Sequence, residues 1–250
     1  MEKLSEFEVI KKYFSFSKNP NNKLSSVLLG IGDDAAIVAA NPNPLVIATD
    51  SLIEKVHFPE NYPSQYIASR SLGVNISDFA AMGVEPKFMT MSLGLPKLNH
   101  DWLESFSTSM KKICDKYNLS LVGGDTSRAD NIIITLTLFG FLPDKKSKYL
   151  VRSGAEVNDD IWVTGSLGKG AAALALIQSS EHLYNWDYSN EDRESLIKSF
   201  NIPEPRLSLG VAISSIANSA IDISDGLFSD AQHISDKSMC KFVIDGDQIP

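Results

Sequence analysis

Residues 119–142 read Leu-Ser-Leu-Val-Gly-Gly-Asp-Thr-Ser-Arg-Ala-Asp-Asn-Ile-Ile-Ile-Thr-Leu-Thr-Leu-Phe-Gly-Phe-Leu. The first part predicts a short strand over 119–122 that runs into a glycine turn carrying Asp125. The second predicts the clearest strand of the chain, over 131–142, because β-branched residues suit a pleated and half-buried surface. A carboxylate set among small or hydroxyl residues where an apolar run ends is a unit that recurs elsewhere. It returns as Gly32-Asp33-Asp34, Thr49-Asp50-Ser51, Asn75-Ile76-Ser77-Asp78 and Asp222-Ile223-Ser224-Asp225-Gly226.

Working outward, residues 27–29, 36–40 and 45–49 predict short strands of one small sheet, separated by Gly-Asp and Asn-Pro turn signals. Residues 63–82 predict a helix stopped by Gly83 and Pro86, with Asp78 in its C-terminal half. Residues 87–95 predict a strand and 101–117 a helix. At the N-terminus Leu4, Phe7, Ile10 and Phe14 recur at three- and four-residue spacing, which predicts an amphipathic helix. The polar, basic stretch 143–155 is the best domain boundary. Beyond it, strands over 160–164, 220–223 and 241–244 alternate with helices over 171–178, 207–217 and 227–235, while 179–205 reads as polar and partly irregular. The expectation is a mixed α/β fold with an N-terminal domain over 1–142 and a C-terminal domain over 150–250.

Composition narrows the function classes. A 250-residue chain that is 43% hydrophobic can bury a core without staples. A net charge of −8, from 31 acidic and 23 basic residues, disfavours nucleic acid and anionic membrane as partners. Cys114 and Cys240 show neither zinc nor disulfide spacing, which points to a reducing cytoplasm. The first sixteen residues carry too many charges for a signal-peptide core.

A lone turn aspartate is ordinarily a cap or a turn former. Five such sites after apolar runs predict instead a bound cation, since a buried, unpaired carboxylate costs several kcal/mol or more. Oxygen ligands without a Cys or His cluster select a hard ion, and magnesium takes one or two carboxylates together with substrate phosphates. Gly165-Ser166-Leu167-Gly168-Lys169-Gly170 is not a Walker loop, because Gly170 stands where a Ser or Thr belongs. It reads as a tight strand-to-helix turn. Lys145, Lys146 and Lys148 read as a solvated loop, and Trp102, Trp162 and Trp186 as packing residues.

Taken together, Gly30-Ile31-Gly32-Asp33-Asp34-Ala35-Ala36, Ala48-Thr49-Asp50-Ser51-Leu52, His57-Phe58, the run from Val74 to Gly83, Gly123-Gly124-Asp125-Thr126-Ser127-Arg128 and Ile221-Asp222-Ile223-Ser224-Asp225-Gly226-Leu227 resemble the thiamine-monophosphate kinase family, in its order and spacing. That family lies within the aminoimidazole ribonucleotide synthetase superfamily. The resemblance implies a two-domain α/β fold whose N-terminal sheet pairs in a homodimer. It implies transfer of the γ-phosphoryl of ATP to thiamine monophosphate, with several magnesium ions. Asp34, Thr49, Asp50, Asp78, Asp125, Asp222 and Asp225 would hold metal, and Asp50, Asp125 and Asp222 would serve catalysis through it. Gly124, Asp125, Arg152 and Ser224 would meet ATP, and His57 would face the acceptor. Asp33 reads equally as a turn residue or a ligand, its neighbour Asp34 matching the family's ligand position better, and Ala48 replaces a hydroxyl residue often found there. The chain stops at Pro250, before a Gly-Gly-Glu-Asp-Tyr-type segment that helps members hold thiamine, so magnesium-nucleotide chemistry is the firmer expectation. The competing readings are another ATP-using member of the superfamily and a non-catalytic magnesium-nucleotide binding module. A selenophosphate synthetase would need a reactive N-terminal Cys, which is absent.

Overall fold

The computed structural model describes residues 6–15, 26–179 and 187–249. The chain divides into two compact units: Met1–Ile76 with Glu85–Ser147, and Ser77–Val84 with Lys148–Pro250. No described helix is long and apolar enough to cross a membrane.

The first unit is built on a four-stranded sheet of β3 (Leu45–Ile53), β6 (Ile133–Phe141), β4 (Pro86–Leu95) and β5 (Ser120–Arg128), in that spatial order. β6 runs antiparallel to both its neighbours, whereas β4 and β5 are parallel and joined through a helix, as a parallel pair requires. The Ile and Thr alternation of β6 has its predicted consequence. Ile134, Leu136 and Leu138 are fully buried, while Thr135 and Thr137 on the other face bond Ser51 and Thr49 across the ladder at 2.7 Å each.

Two helices accompany this sheet, α2 (Ser64–Met82) and α3 (His100–Tyr117). Asn99 caps α3 by accepting the Trp102 N–H, and Asn118 ends it in the left-handed conformation. Leu103, Phe106 and Met110 supply its buried face. The Ser105 hydroxyl donates to Gln65 Oε1 at 3.1 Å and the Ser109 hydroxyl to the Gln65 carbonyl at 2.9 Å, joining the two helices. The N-terminal helix is a short α1 (Glu6–Val9) that continues as a π-helical turn, Ile10–Phe14. The wider turn presents Val9, Tyr13 and Phe14 to the core, with Tyr13 hydrogen-bonded to His100 at 2.8 Å and Phe14 edge-on to Phe106. Of the predicted apolar series, Leu4 lies outside the described residues.

The small sheet read for 27–49 is corrected. β1 (Val27–Leu29) and β2 (Ile37–Val38) form a separate two-stranded ribbon, and β3 pairs instead with β6 over nine residue pairs. Long-range pairing outweighs the sequence adjacency on which that reading rested.

In the second unit the end of α2 from Ser77, α4 (Lys169–Ile177), α5 (Asn190–Asn201), α6 (Leu207–Ile213) and α7 (Leu227–Ser238) account for the regular structure of the described residues, with a final 3-10 turn over Gly246–Gln248. Helix α5 falls in the stretch expected to be irregular. A capping box starts it, Ser189 accepting from the Asp192 N–H while the Asp192 carboxylate accepts from the Ser189 N–H. The strands expected over 160–164, 220–223 and 241–244 do not form among the described residues. Each has strand-like composition, but a strand exists only with a ladder partner, and none of these segments pairs with another. Ile161, Trp162, Ile223 and Val243 stand 45%, 86%, 42% and 81% exposed in consequence. Trp162 is therefore not a packing residue. Trp102 is one, stacked on Phe106 with centroids 4.8 Å apart, and Trp186 lies outside the described residues.

Candidate functional site

The candidate residues of the first unit lie on two edge strands and in two loops, Asp34 in one and His57 in the other. Asp50 lies within β3, opposite Leu136, which is opposite Met91, which is opposite Gly124. Asp125 belongs to the next row, Ser51–Thr135–Ser92–Asp125. Neither carboxylate terminates its strand, because the ladder carries both β3 and β5 past it; the strand-end reading is corrected in that respect. The two aspartates occupy opposite edges of the sheet, three inter-strand spacings or roughly 14 Å apart. By the alternation of side chains Asp50 falls in the row of buried Leu136 and Met91, and Asp125 in the row of the open-face hydroxyls.

Gly124 is the position that tolerates no side chain. Its φ is +152°, and a Cβ there would meet the Met91 carbonyl oxygen at 1.8 Å. The backbone of β5 thus approaches β4 too closely for any other residue just before Asp125.

Asp50 is held through its backbone by a residue that the sequence reading did not single out as a site residue. Asn75, fully buried on α2, accepts the Asp50 N–H on Oδ1 at 3.1 Å and donates from Nδ2 to the Ser71 carbonyl at 2.8 Å. The signal was in the sequence: an Asn three residues before Asp78 on an otherwise apolar helix face must find polar partners when buried.

His57 stands in a tight loop. Lys55 has φ +68° and donates its N–H to the Phe58 carbonyl at 2.8 Å, and buried Glu54 accepts the Ile132 N–H at 3.2 Å. The His57 ring accepts the Ile53 N–H on Nδ1 at 3.1 Å. A neutral ring then carries its proton on Nε2, leaving that N–H as a donor on an exposed side chain. Asp34 is exposed, and its N–H donates to Asp33 Oδ1 at 3.1 Å.

In the second unit the segment bearing Arg152 is stitched to the stretch before Asp222. The Val151 carbonyl accepts the Ser219 hydroxyl at 2.8 Å and the Ala220 N–H at 3.3 Å. The Asn218 amide donates to both oxygens of Asp159, whose carboxyl is held below the usual Asp range first by the Glu156 N–H and then by Asn218. The Arg152 carbonyl accepts from the Ser238 hydroxyl, while its side chain is exposed and enters no salt bridge found among the described residues. Asp78 and Asp222 are half-buried; Ser224 and Asp225 are exposed.

The candidate carboxylates are thus accessible and not sealed in the core, which corrects the burial argument made from sequence. Glu54 and Asp230 are the buried carboxylates among the described residues, and neither belongs to the predicted set. Within neither unit do three His, Cys, Asp or Glu side chains of described residues converge as a preformed cage. This oxygen-only, solvent-facing donor set still fits magnesium, which keeps several waters and takes few protein ligands along with phosphate oxygens.

Residues 32–142 match the family described as AIR synthase related protein, N-terminal domain. Over 249 residues the chain is 43% identical to the thiamine-monophosphate kinase of Buchnera aphidicola subsp. Acyrthosiphon pisum (strain APS), covering 99% of this chain and 74% of that protein. The crystal structure of thiamine-monophosphate kinase from Stenotrophomonas maltophilia K279a superposes with a TM-score of 0.78 at 37% identity, over 87% of this chain and 68% of that one. AaThiL complexed with AMPPCP and TMP superposes with a TM-score of 0.71 at 33% identity, over 84% of this chain and 65% of that one.

Proposed function

The chain belongs to the thiamine-monophosphate kinase family, and from that premise we propose that it transfers the γ-phosphoryl group of ATP to the phosphate of thiamine monophosphate, yielding thiamine diphosphate and ADP. The observation that carries the substrate pair is the likeness to AaThiL complexed with AMPPCP, which stands in for ATP, and TMP. In this reading residues 1–142 form the ATP- and magnesium-binding and dimerisation domain, and residues 150–250 a second domain whose described regular structure is helical. A reducing cytoplasm suits the two free cysteines.

The attacking oxygen belongs to a phosphate already ionised near neutral pH, so the reaction needs alignment and charge neutralisation and no general base. Magnesium, when bound, supplies that neutralisation between two polyanions. Asp34, Thr49, Asp50, Asp78, Asp125, Asp222 and Asp225 would hold several such ions, not one in common. Arg152 offers a permanently charged fork to the polyphosphate, and Ser224 a hydroxyl. Gly124 lets the nucleotide approach the backbone beside Asp125. His57 donates from Nε2 to the acceptor, because its Nδ1 is already engaged by Ile53.

The sheet geometry favours a homodimer in addition. Asp50 and Asp125 lie on opposite edges, too far apart to share one ion within a chain, whereas the edge of a second copy would bring another carboxylate near. Leu45 and Ile47, 49% and 56% exposed on β3, give such an edge apolar surface to cover. Light scattering at micromolar concentration should report about twice the 27.4 kDa chain mass, and a monomer across a wide range removes the dimer.

Replacing Asp50 or Asp125 by Asn tests the metal assignment. Each variant should keep its stability, as substitutions at accessible positions usually do. Each should lose more than about tenfold in turnover, the lower bound known for groups that merely support metal ligands. Wild-type turnover in both would refute the assignment.

A further inference from the structure

The loop that carries Ser224 and Asp225 has an unassigned organiser. Asp230, in the first turn of α7, is 3% exposed. One of its oxygens, Oδ2, accepts three consecutive backbone N–H groups: Ser224 at 2.9 Å, Asp225 at 3.2 Å and Gly226 at 3.2 Å. Its own N–H closes the turn on the Gly226 carbonyl at 3.0 Å. Successive N–H groups converging in this way form a concave nest, the backbone arrangement that ordinarily captures an anion such as phosphate. Here a carboxylate of the same chain fills the nest.

That occupancy decides which atoms the loop offers outward. With the N–H groups of Ser224, Asp225 and Gly226 turned onto Asp230, those three amides are closed to a phosphate. What remains on its exposed side is the Ser224 hydroxyl and the Asp225 carboxylate, both oxygen ligands. A buried carboxylate is costly without hydrogen-bond partners, and three backbone N–H groups on Oδ2 offset that cost. The same bonds fix φ and ψ over 224–226, including Gly226 at φ +118°.

We propose that Asp230 is a positioning residue: by occupying this nest it converts a loop built to bind anions into one that faces a cation, and so holds Ser224 and Asp225 toward a magnesium nucleotide. The inference rests on the reading of Ser224 and Asp225 given above. Asp230 touches neither substrate nor metal and acts through the loop alone.

The test compares the full wild-type chain with Asp230→Ala and Asp230→Asn. Calorimetry would measure Mg·ATP affinity well below each melting temperature, and amide NMR would follow residues 224–226 with inorganic phosphate added in the absence of magnesium. Asp230→Ala should bind Mg·ATP about tenfold or more weakly, as is usual when a partner supporting metal ligands is removed. Asp230→Asn, which keeps one acceptor oxygen, should fall between. Phosphate should shift the 224–226 amides of Asp230→Ala and leave those of wild type in place. A purely structural role would lower the melting temperature and reproduce neither the graded affinity nor the phosphate response.

Wild-type affinity in a folded Asp230→Ala, or in Asp230→Asn should Asp230→Ala not fold, overturns the proposal and leaves the kinase reading standing. Absence of a phosphate response in the folded Asp230→Ala overturns it as well. Failure of the wild-type chain itself to bind Mg·ATP overturns the kinase reading and this inference together. The wild-type amide spectrum still reports the three bonds in that case, so the two failures are told apart.

Discussion

Asn75 and Asp50 are joined by a 3.1 Å hydrogen bond in which the buried Asn side chain accepts the backbone N–H of the aspartate. The bond ties the middle of α2 to the edge strand β3 where a metal-binding carboxylate is assigned, so a core residue sets the height of a surface ligand. Asn75→Leu should leave that N–H and the Ser71 carbonyl without their partner, at a cost of about 1–3 kcal/mol. Urea denaturation would read the loss. Turnover should fall further than stability alone explains, and unchanged stability and turnover would separate Asp50 from Asn75.

The close approach between α6 and the end of α2 is as sharply defined. A Cβ at Gly210 would lie 2.0 Å from the Ala80 carbonyl oxygen, a backbone atom that no side-chain rotation relieves. Gly210→Ala should therefore destabilise the second unit by about 1–3 kcal/mol, the usual cost of overpacking. Thermal unfolding checks this, and a melting temperature at or above that of wild type contradicts the packing described.

Long elements with strong local signals were legible in the sequence, and elements that depend on remote partners were not. Helix α3 announces itself by Asn99 and Asn118 at its ends, and β6 by its Ile-Thr alternation. β3 extends four residues beyond the expected 45–49, because its continuation through Asp50 and Ser51 depends on pairing with Leu136 and Thr135 of β6, which no local window contains. The strand-like segments around Ile161, Ile223 and Val243 failed for the converse reason, since composition was right and partners were missing. Helix α5 was overlooked although Ser189 and Asp192 spell a capping box. Of the proposed site, the candidate aspartates stand out in the sequence from their neighbours, although Asp50 and Asp125 lie within strands and not in turns. Asp230 does not, because it acts through backbone N–H groups that a sequence does not locate.

Cys114 sits at 3% exposure on α3, and burial pushes its thiol up to about 12, with the Asp115 charge acting in the same direction. A thiol whose folded pKa is raised contributes stability that is fully present below the ordinary thiol range, about 8.5, and is lost as pH rises from there toward 12. Alkylation at pH 8 should leave Cys114 unmodified in the native chain and modify it once the chain is unfolded. Rapid native labelling of Cys114 would contradict its burial.

Asp159 behaves oppositely. Its carboxyl is depressed by the Glu156 N–H and by Asn218, so its contribution is present above the ordinary Asp range, about 3.9, and is lost as pH falls below it. The difference in melting temperature between wild type and Asp159→Ala should hold level from neutral pH to about 5 and shrink only below that, as pH is lowered toward about 3. A difference independent of pH would show that the bonds to Glu156 and Asn218 do not stabilise the charged form.

The central claim is magnesium-dependent phosphoryl transfer to thiamine monophosphate, and the most direct measurement is product analysis after incubating the chain with ATP, thiamine monophosphate and magnesium. Thiamine diphosphate and ADP should appear in equal amounts, vanish when magnesium is chelated, and be sharply reduced in Asp50→Asn. Binding of Mg·ATP with no thiamine diphosphate formed, or release of inorganic phosphate in its place, would contradict the account.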